Sequence, residues 1–408
     1  MAGVRVLAGR LHRWAGLATA LFLAAAGLTG SVLAFKNELE ALLNPQLFQV
    51  AVPHGSDTVR SLQDPFVLRE QLQQRYPAAR ADYLGFPQPG HSLMFFLMPR
   101  PHAISGDPIV PTRDQVFVDP YTGAVLGDRQ WGVLWSEGRW HAENLVPFVW
   151  RLHEALALPH PWGKWFMGAV ALVWTLDCFT GLWLTLPRGQ PFLRKWRPAW
   201  GIKRGASAYR FTLDLHRAFG LWLWVALLVF AWSSVMLNLR EAVYRPVMST
   251  AFSFQDEARQ RPPRLPAPRW EPRLDWRVAH ARARDSLQSL ASSQGFQVLR
   301  EDSLWYRPAQ GAYLYRTRTS WDLRDEVGRS DLWIDGDTGA VLLTNFEGRG
   351  LGGDQVSAWL RVLHTGEIGG LAYRIAVGLV GVVVAMLSVT GIMVWARKRR
   401  ARAHRRAD

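Results

Sequence analysis

The chain has 408 residues, 49% of them hydrophobic, a formal net charge of +15 and a single cysteine. One cysteine excludes an intramolecular disulfide, and without CxxC or CxxCH there is no cysteine-based zinc or iron–sulfur site and no covalent c-type haem. The positive charge sits in short segments beside apolar runs rather than in one block, which fits membrane topology and not a nucleic-acid partner.

A bilayer core of about 30 Å needs about 20 mostly apolar helical residues, and four segments satisfy this. In chain order the reading is a short N-terminus over 1–13, a first span over 14–35, a large polar segment over 36–164 and a second span over 165–186. A basic loop over 187–216, a third span over 217–238, a second large segment over 239–370, a fourth span over 371–395 and a basic tail over 396–408 complete it. The first run resembles a signal peptide, but it is long and its motif recurs later, so a retained anchor is expected. Basic residues near the spans include Arg5, Arg10 and Arg13, then Arg188, Arg194, Lys195 and Arg197, and finally Arg397 to Arg400. By the positive-inside rule both termini and the 187–216 loop face the cytoplasm, and the two large segments lie outside.

The halves repeat. Leu11-His12-Arg13-Trp14-Ala15-Gly16-Leu17 reappears as Leu215-His216-Arg217-Ala218-Phe219-Gly220-Leu221, each time opening an apolar run. Arg151-Leu152-His153 and Arg361-Val362-Leu363-His364 precede the second and fourth runs. Residues 116–126 and 332–342 match as strand, Asp/Gly turn and returning strand. Ahead of them lie amphipathic helical stretches at 64–75 and 276–292 and strand-like runs at 92–98 and 313–319. Both halves enter and leave the membrane in the same sense, so the repeats are parallel and a pseudo-twofold bundle brings equivalent histidines face to face.

Two imidazoles can fill both axial positions of a haem iron, a coordination suited to electron transfer. His12 with His216 is expected to hold one haem at the cytoplasmic face, and His153 with His364 a second at the outer face. The span between them is roughly 27 Å at helical rise, far for one tunnelling step, so two haems are expected. Arg13, Arg217, Lys164 and Arg374 stand near these histidines as candidate partners of haem propionates, with Arg151 and Arg361 beside them; lipid headgroups are the competing role. Gly16 and Gly220 are positions where a helix can approach a porphyrin plane, or simply another helix. His160 and His141 are rival outer ligands, whereas His54, His91, His102, His280 and His404 are expected in solvent. Asp177 is a carboxylate in mid-span and should face the bundle interior.

The stretches His12-Arg13-Trp14-Ala15-Gly16-Leu17, Leu363-His364-Thr365-Gly366-Glu367-Ile368-Gly369-Gly370 and Ser388-Val389-Thr390-Gly391, with the two Asp-x-x-Thr-Gly-Ala-Val turns, resemble the PepSY-associated transmembrane family. In size and four-span layout the chain is similar to its bacterial inner-membrane ferric-siderophore reductases. The resemblance implies a membrane α-helical fold: a four-span bundle of two parallel repeats, each with a periplasmic α+β PepSY-like domain. It implies b-type haem in the bundle and iron reduction; joined to the two histidine pairs and the lack of CxxCH, the expectation is two non-covalent haems b and reduction of a periplasmic ferric siderophore with release of Fe(II).

Other features are weaker. Among 21 tryptophans, Trp131, Trp135, Trp140, Trp150, Trp162, Trp305, Trp321 and Trp359 lie outside or at the outer interface, as belt and core residues or as a docking platform for a chelate. Residues 259–273, rich in Arg and Pro, read as an extended linker. Gly348-Arg349-Gly350-Leu351-Gly352-Gly353 mimics a nucleotide loop without a βαβ context. No flavin or nicotinamide domain is expected, so electrons must come from another protein or a membrane quinol. A PepSY-based binding or regulatory protein predicts no haem absorbance, and a siderophore transport accessory predicts passage without redox change.

Overall fold

A computed structural model describes residues 2–52, 61–102, 108–256 and 259–407. The chain divides into two compact units. One comprises Met1–Phe35, Val149–Ala251 and Leu360–Asp408, the other Lys36–Phe148 and Phe252–Trp359.

In the helical unit, Gly3–Leu33, Trp162–Thr185 and Gly370–Ala401 are long and apolar enough to cross a membrane. Their outward faces carry large exposed apolar side chains such as Leu21, Leu28, Leu176 and Leu379, a pattern that suits lipid rather than water. The expected continuous third span over 217–238 is instead two helices, Ala208–Trp222 and Trp224–Asn238, bent by 71° at Leu223. The indoles on either side of the break donate to different places, Trp222 to the Trp200 carbonyl at 3.1 Å and Trp224 to the Cys178 carbonyl at 2.9 Å. Counted as one span, the bent pair makes four.

Glycine permits close helix approach. A side chain at Gly27 would fall on the Gly381 carbonyl, and Ser31 Oγ donates across the same crossing to the Gly378 carbonyl at 2.7 Å. Small residues let the backbones of Ala2–Leu33 and Gly370–Ala407 touch, so packing and an interhelical hydrogen bond replace the hydrophobic drive that lipid does not supply.

The second unit is one α+β body built from both large segments, not two separate domains. Its antiparallel five-stranded sheet runs Val341–Phe346, Ser330–Asp335, Ala312–Thr319, Val298–Arg307 and Tyr83–Gly85, so the last strand comes from the other half of the chain. Leu93–Phe96, Gln115–Val118 and Val125–Arg129 form a three-stranded sheet. Phe66, Leu68, Phe95 and Val116 share one core with Leu287, Tyr306, Tyr313 and Ile334. The expected helices appear at Pro65–Arg75 and Trp276–Gln294, where Asp64 and Asp275 accept from the amides of Phe66 and Arg277 at 2.8 Å and cap the first turns. Both Asp/Gly turns form, with Gly123 at φ 76° and Gly339 at φ 71°. Residues 259–273 are not a free linker: Leu265 and Arg269 donate to the carbonyls of Ala309 and Pro308, and Glu271 pairs with Arg80 at 2.7 Å. The glycine-rich loop at 348–353 leads into the helix Gly352–Thr365, where Asp354 accepts from Leu351 and Gln255 amides.

Candidate functional site

The four histidines form two facing pairs. His12, on Ala2–Leu33, and His216, on Ala208–Trp222, have ring centres 6.1 Å apart. His153, on Leu145–Ala155, and His364, on Gly352–Thr365, have centres 6.2 Å apart. Two metal–imidazole bonds of about 2.0–2.1 Å, with the ring half-widths added, require centres a little over 6 Å apart. Both separations therefore leave room for one metal between each pair of rings.

Each ring is held by its Nδ1. His12 Nδ1 lies 2.9 Å from Asp177 Oδ1; His216 Nδ1 lies 3.0 Å from the Leu387 carbonyl and 3.1 Å from Thr390 Oγ1. His153 Nδ1 lies 3.0 Å from the Ala26 carbonyl and 3.1 Å from Thr29 Oγ1. His364 Nδ1 lies 2.7 Å from Ser233 Oγ, whose own hydrogen goes to the Phe230 carbonyl at 3.0 Å. Carbonyls and carboxylates only accept, and the Ser233 hydrogen is used, so all four Nδ1 atoms donate and the proton-free nitrogen is Nε2. Among the described residues no Nε2 of the four makes a hydrogen bond. Burial drives His153 and His364 below the ordinary imidazole range, keeping both neutral. This donor set, with an anchored Nδ1–H and a free Nε2 lone pair, is what metal-ligating histidines require.

Glycines lie against three of the rings. A Cβ would sit 3.5 Å from His12 Cε1 at Gly181, 3.3 Å from His216 Cε1 at Gly391 and 3.0 Å from His153 Cε1 at Gly30. Between His12 and His216 opens a cavity of about 860 Å³, which Gly16 and Gly220 also line. Around a Cβ at either glycine nothing stands within 4 Å, so the hollow is one that side chains would partly fill. Its volume lies in the range of cofactor sites.

Arg13 and Arg217 line this cavity together with Lys398 and Arg399, two cations that sequence reasoning did not single out. Arg217 Nη2 donates to the fully buried Asp214 at 2.9 Å, yet its Nε is buried without a partner. An unsatisfied buried guanidinium nitrogen suits an anionic group such as a propionate. Near the second pair, Lys164 is engaged by Glu154 at 2.6 Å and Arg374 is half-buried, its Cγ 3.5 Å from a Cβ at Gly366. The residues present thus fit bis-imidazole haem, best documented at the His12–His216 cavity.

The rival histidines do not join either pair. His141 is 1% exposed and spends both nitrogens at 2.9 Å, on Ser136 Oγ and Glu143 Oε1. His160 is exposed, as are His91 and His102. His280, expected in solvent, packs against Phe66 and Phe86 and contacts Glu301 at 2.8 Å. His54 and the side chain of His404 lie outside the described residues. Trp321 belongs to the core and Trp305 packs with Tyr83 and Phe96, whereas Trp135 and Trp140 face each other on an exposed hairpin.

Of the side chains that hold the rings, sequence reasoning singled out Asp177, without its tie to His12, and missed the hydroxyls. Thr29 and Ser233 occupy equivalent positions beyond His12 and His216, and Thr180-Gly181 repeats as Thr390-Gly391. A hydroxyl recurring at matched depth in two apolar runs was the available signal.

Residues 9–398 match the PepSY-associated TM region family, and the chain belongs to it. No curated protein matches the chain.

Proposed function

We propose that this PepSY-associated TM protein is a ferric-siderophore reductase of the bacterial inner membrane, a b-type cytochrome that carries electrons from the cytoplasmic side to a periplasmic chelate. The observation that carries the reading is the pair of histidine pairs at 6.1 and 6.2 Å, each ring with Nδ1 anchored and Nε2 unengaged. A bis-imidazole haem supplies, when bound, a one-electron couple with no open coordination position.

The chain's part is to bind, space and orient. His12 and His216 serve the cytoplasmic site and His153 and His364 the outer one, with Arg13 and Arg217 toward propionates at the former and Lys164 and Arg374 nearby at the latter. Thr29, which holds His153, lies on the same helix as His12 and roughly 25 Å along it at helical rise. The two sites stand toward the two ends of that length, one near each face. Positive-inside placement of Arg5, Arg10 and the Arg397-Lys398-Arg399-Arg400 tail orients the four-span layout with both termini cytoplasmic. The donor is a cytoplasmic reductant or a membrane quinol. Each electron delivered outside converts one chelated Fe(III) to Fe(II), which hard oxygen ligands hold less strongly.

A pyridine haemochromogen assay on purified protein expressed with adequate haem should give two haems b per chain with low-spin spectra. Absence of haem would overturn the reading in favour of a non-redox binding or transport-accessory role. Stopped-flow mixing of the reduced protein with ferric siderophores should reoxidise it; reoxidation only by a different periplasmic acceptor would remove the iron assignment and leave the electron carrier.

A further inference from the structure

The four ring anchors are not alike. Among the described residues, His153, His216 and His364 give their Nδ1–H to backbone carbonyls or hydroxyls, and His12 alone gives it to a carboxylate, Asp177 Oδ1 at 2.9 Å. At the equivalent place in the second repeat stands Leu387, whose main-chain carbonyl orients His216 at 3.0 Å. The neighbouring threonines differ in the same way. Thr180 Oγ1 donates to Asp177 Oδ1 at 2.6 Å, whereas Thr390 Oγ1 donates to the Met386 carbonyl at 2.7 Å.

A carboxylate on an apolar span is costly to place in a membrane. The second repeat shows that a backbone carbonyl orients a ring without that cost. What the carboxylate adds is a negative charge at hydrogen-bond distance from a ligand N–H, which makes the imidazole a stronger electron donor to its metal. Stronger donation favours the oxidised iron.

We propose, building on the haem reading above, that Asp177 is a positioning residue that lowers the reduction potential of the His12–His216 site through the His12 ring. The shift is in the direction that sends electrons onward to the His153–His364 site. Arg13, Arg217, Lys398 and Arg399 line the same cavity and act in the opposite sense, so the effect is read by comparing variants rather than from an absolute potential.

Asp177→Asn separates charge from orientation, because the amide oxygen still accepts from Nδ1. Spectroelectrochemical titration of full-length wild-type, Asp177→Asn, Asp177→Glu and Thr180→Val proteins, with haem counted in each, tests the proposal. In Asp177→Asn one wave should move positive by at least a tenfold change in the reduced-to-oxidised ratio, about 59 mV for one electron. The other wave should stay, and Asp177→Glu should restore the first. Low-spin electron paramagnetic resonance should show one of two signals shifted in Asp177→Asn.

Thr180→Val keeps the carboxylate and removes its competing donor. It should move the same wave negative, and it supplies the test if Asp177→Asn loses haem. Unmoved potentials in Asp177→Asn with both haems retained would overturn the proposal, as would equal shifts of both waves or a positive or absent shift in Thr180→Val. Wild-type protein without haem overturns the proposed function itself, and a normal two-haem wild type with unresponsive variants overturns only the role of Asp177.

Discussion

Ser233→Ala and Thr29→Val remove matched hydroxyls from the outer pair and should have unequal effects. His364 donates its Nδ1–H to Ser233 Oγ at 2.7 Å, and the residue is half-buried. Removing the hydroxyl takes away the side-chain acceptor of that N–H, a penalty of about 1–3 kcal/mol. His153 has a second acceptor, the Ala26 carbonyl at 3.0 Å, so Thr29→Val exchanges a shared hydrogen bond for an unshared one and should lose well under 1 kcal/mol. At about 1.4 kcal/mol per decade, haem affinity at the outer site should fall roughly 5- to 150-fold in Ser233→Ala and less than fivefold in Thr29→Val. Haem titration into apo-protein, followed in the Soret band, measures both. A loss in Thr29→Val equal to or larger than that in Ser233→Ala would refute the assignment of ring anchors.

His12→Ala or His216→Ala should remove or perturb one haem signal and spare most of the other, and His153→Ala or His364→Ala should do the reverse; redox-resolved spectra check this. Arg217→Met takes away the guanidinium whose Nε is unpartnered at the cavity and should weaken haem binding there by about tenfold, seen as faster haem loss to a scavenger. In the α+β unit, Gly339→Ala puts a side chain at φ 71°, with its Cβ 2.7 Å from Arg282 Cδ. It should cost about 1–2 kcal/mol and lower the melting temperature. Burial acts to raise the Asp335 carboxyl, but the amides of Thr338 and Asp337 outweigh it and hold the group below its ordinary value. A depressed carboxyl stabilises the fold above its unfolded value and ceases to do so as pH falls through the folded one. The melting-temperature gap between wild type and Asp335→Leu should therefore narrow on acidification, where a constant gap would point to packing alone.

The repeated Leu-His-Arg-x-x-Gly-Leu motif was legible because two identical spacings at span starts have few explanations. The outer histidines were legible from their matched approach to the next spans. The anchors were not: His12 depends on Asp177 and His153 on Thr29, contacts between helices distant in sequence. The break at Leu223 was hidden because residues 218–232 are apolar throughout, and hydropathy does not register direction. His280 looked like a surface residue until its helix face was known. The joining of both large segments was hidden as well, since Tyr83–Gly85 is a three-residue strand whose partner, Val298–Arg307, belongs to the other half.

That shared sheet sets an order on synthesis. When residues 36–148 emerge, Phe66, Leu68, Leu84 and Phe95 have no Leu287, Leu304 or Tyr313 to cover them, and the missing half follows only after two further apolar stretches have been made. The first segment must wait with an apolar face and an unpaired strand open, a state prone to wrong association. A chain stopped after its second span would carry that face permanently, so the two halves of the repeat cannot be separated into working single copies.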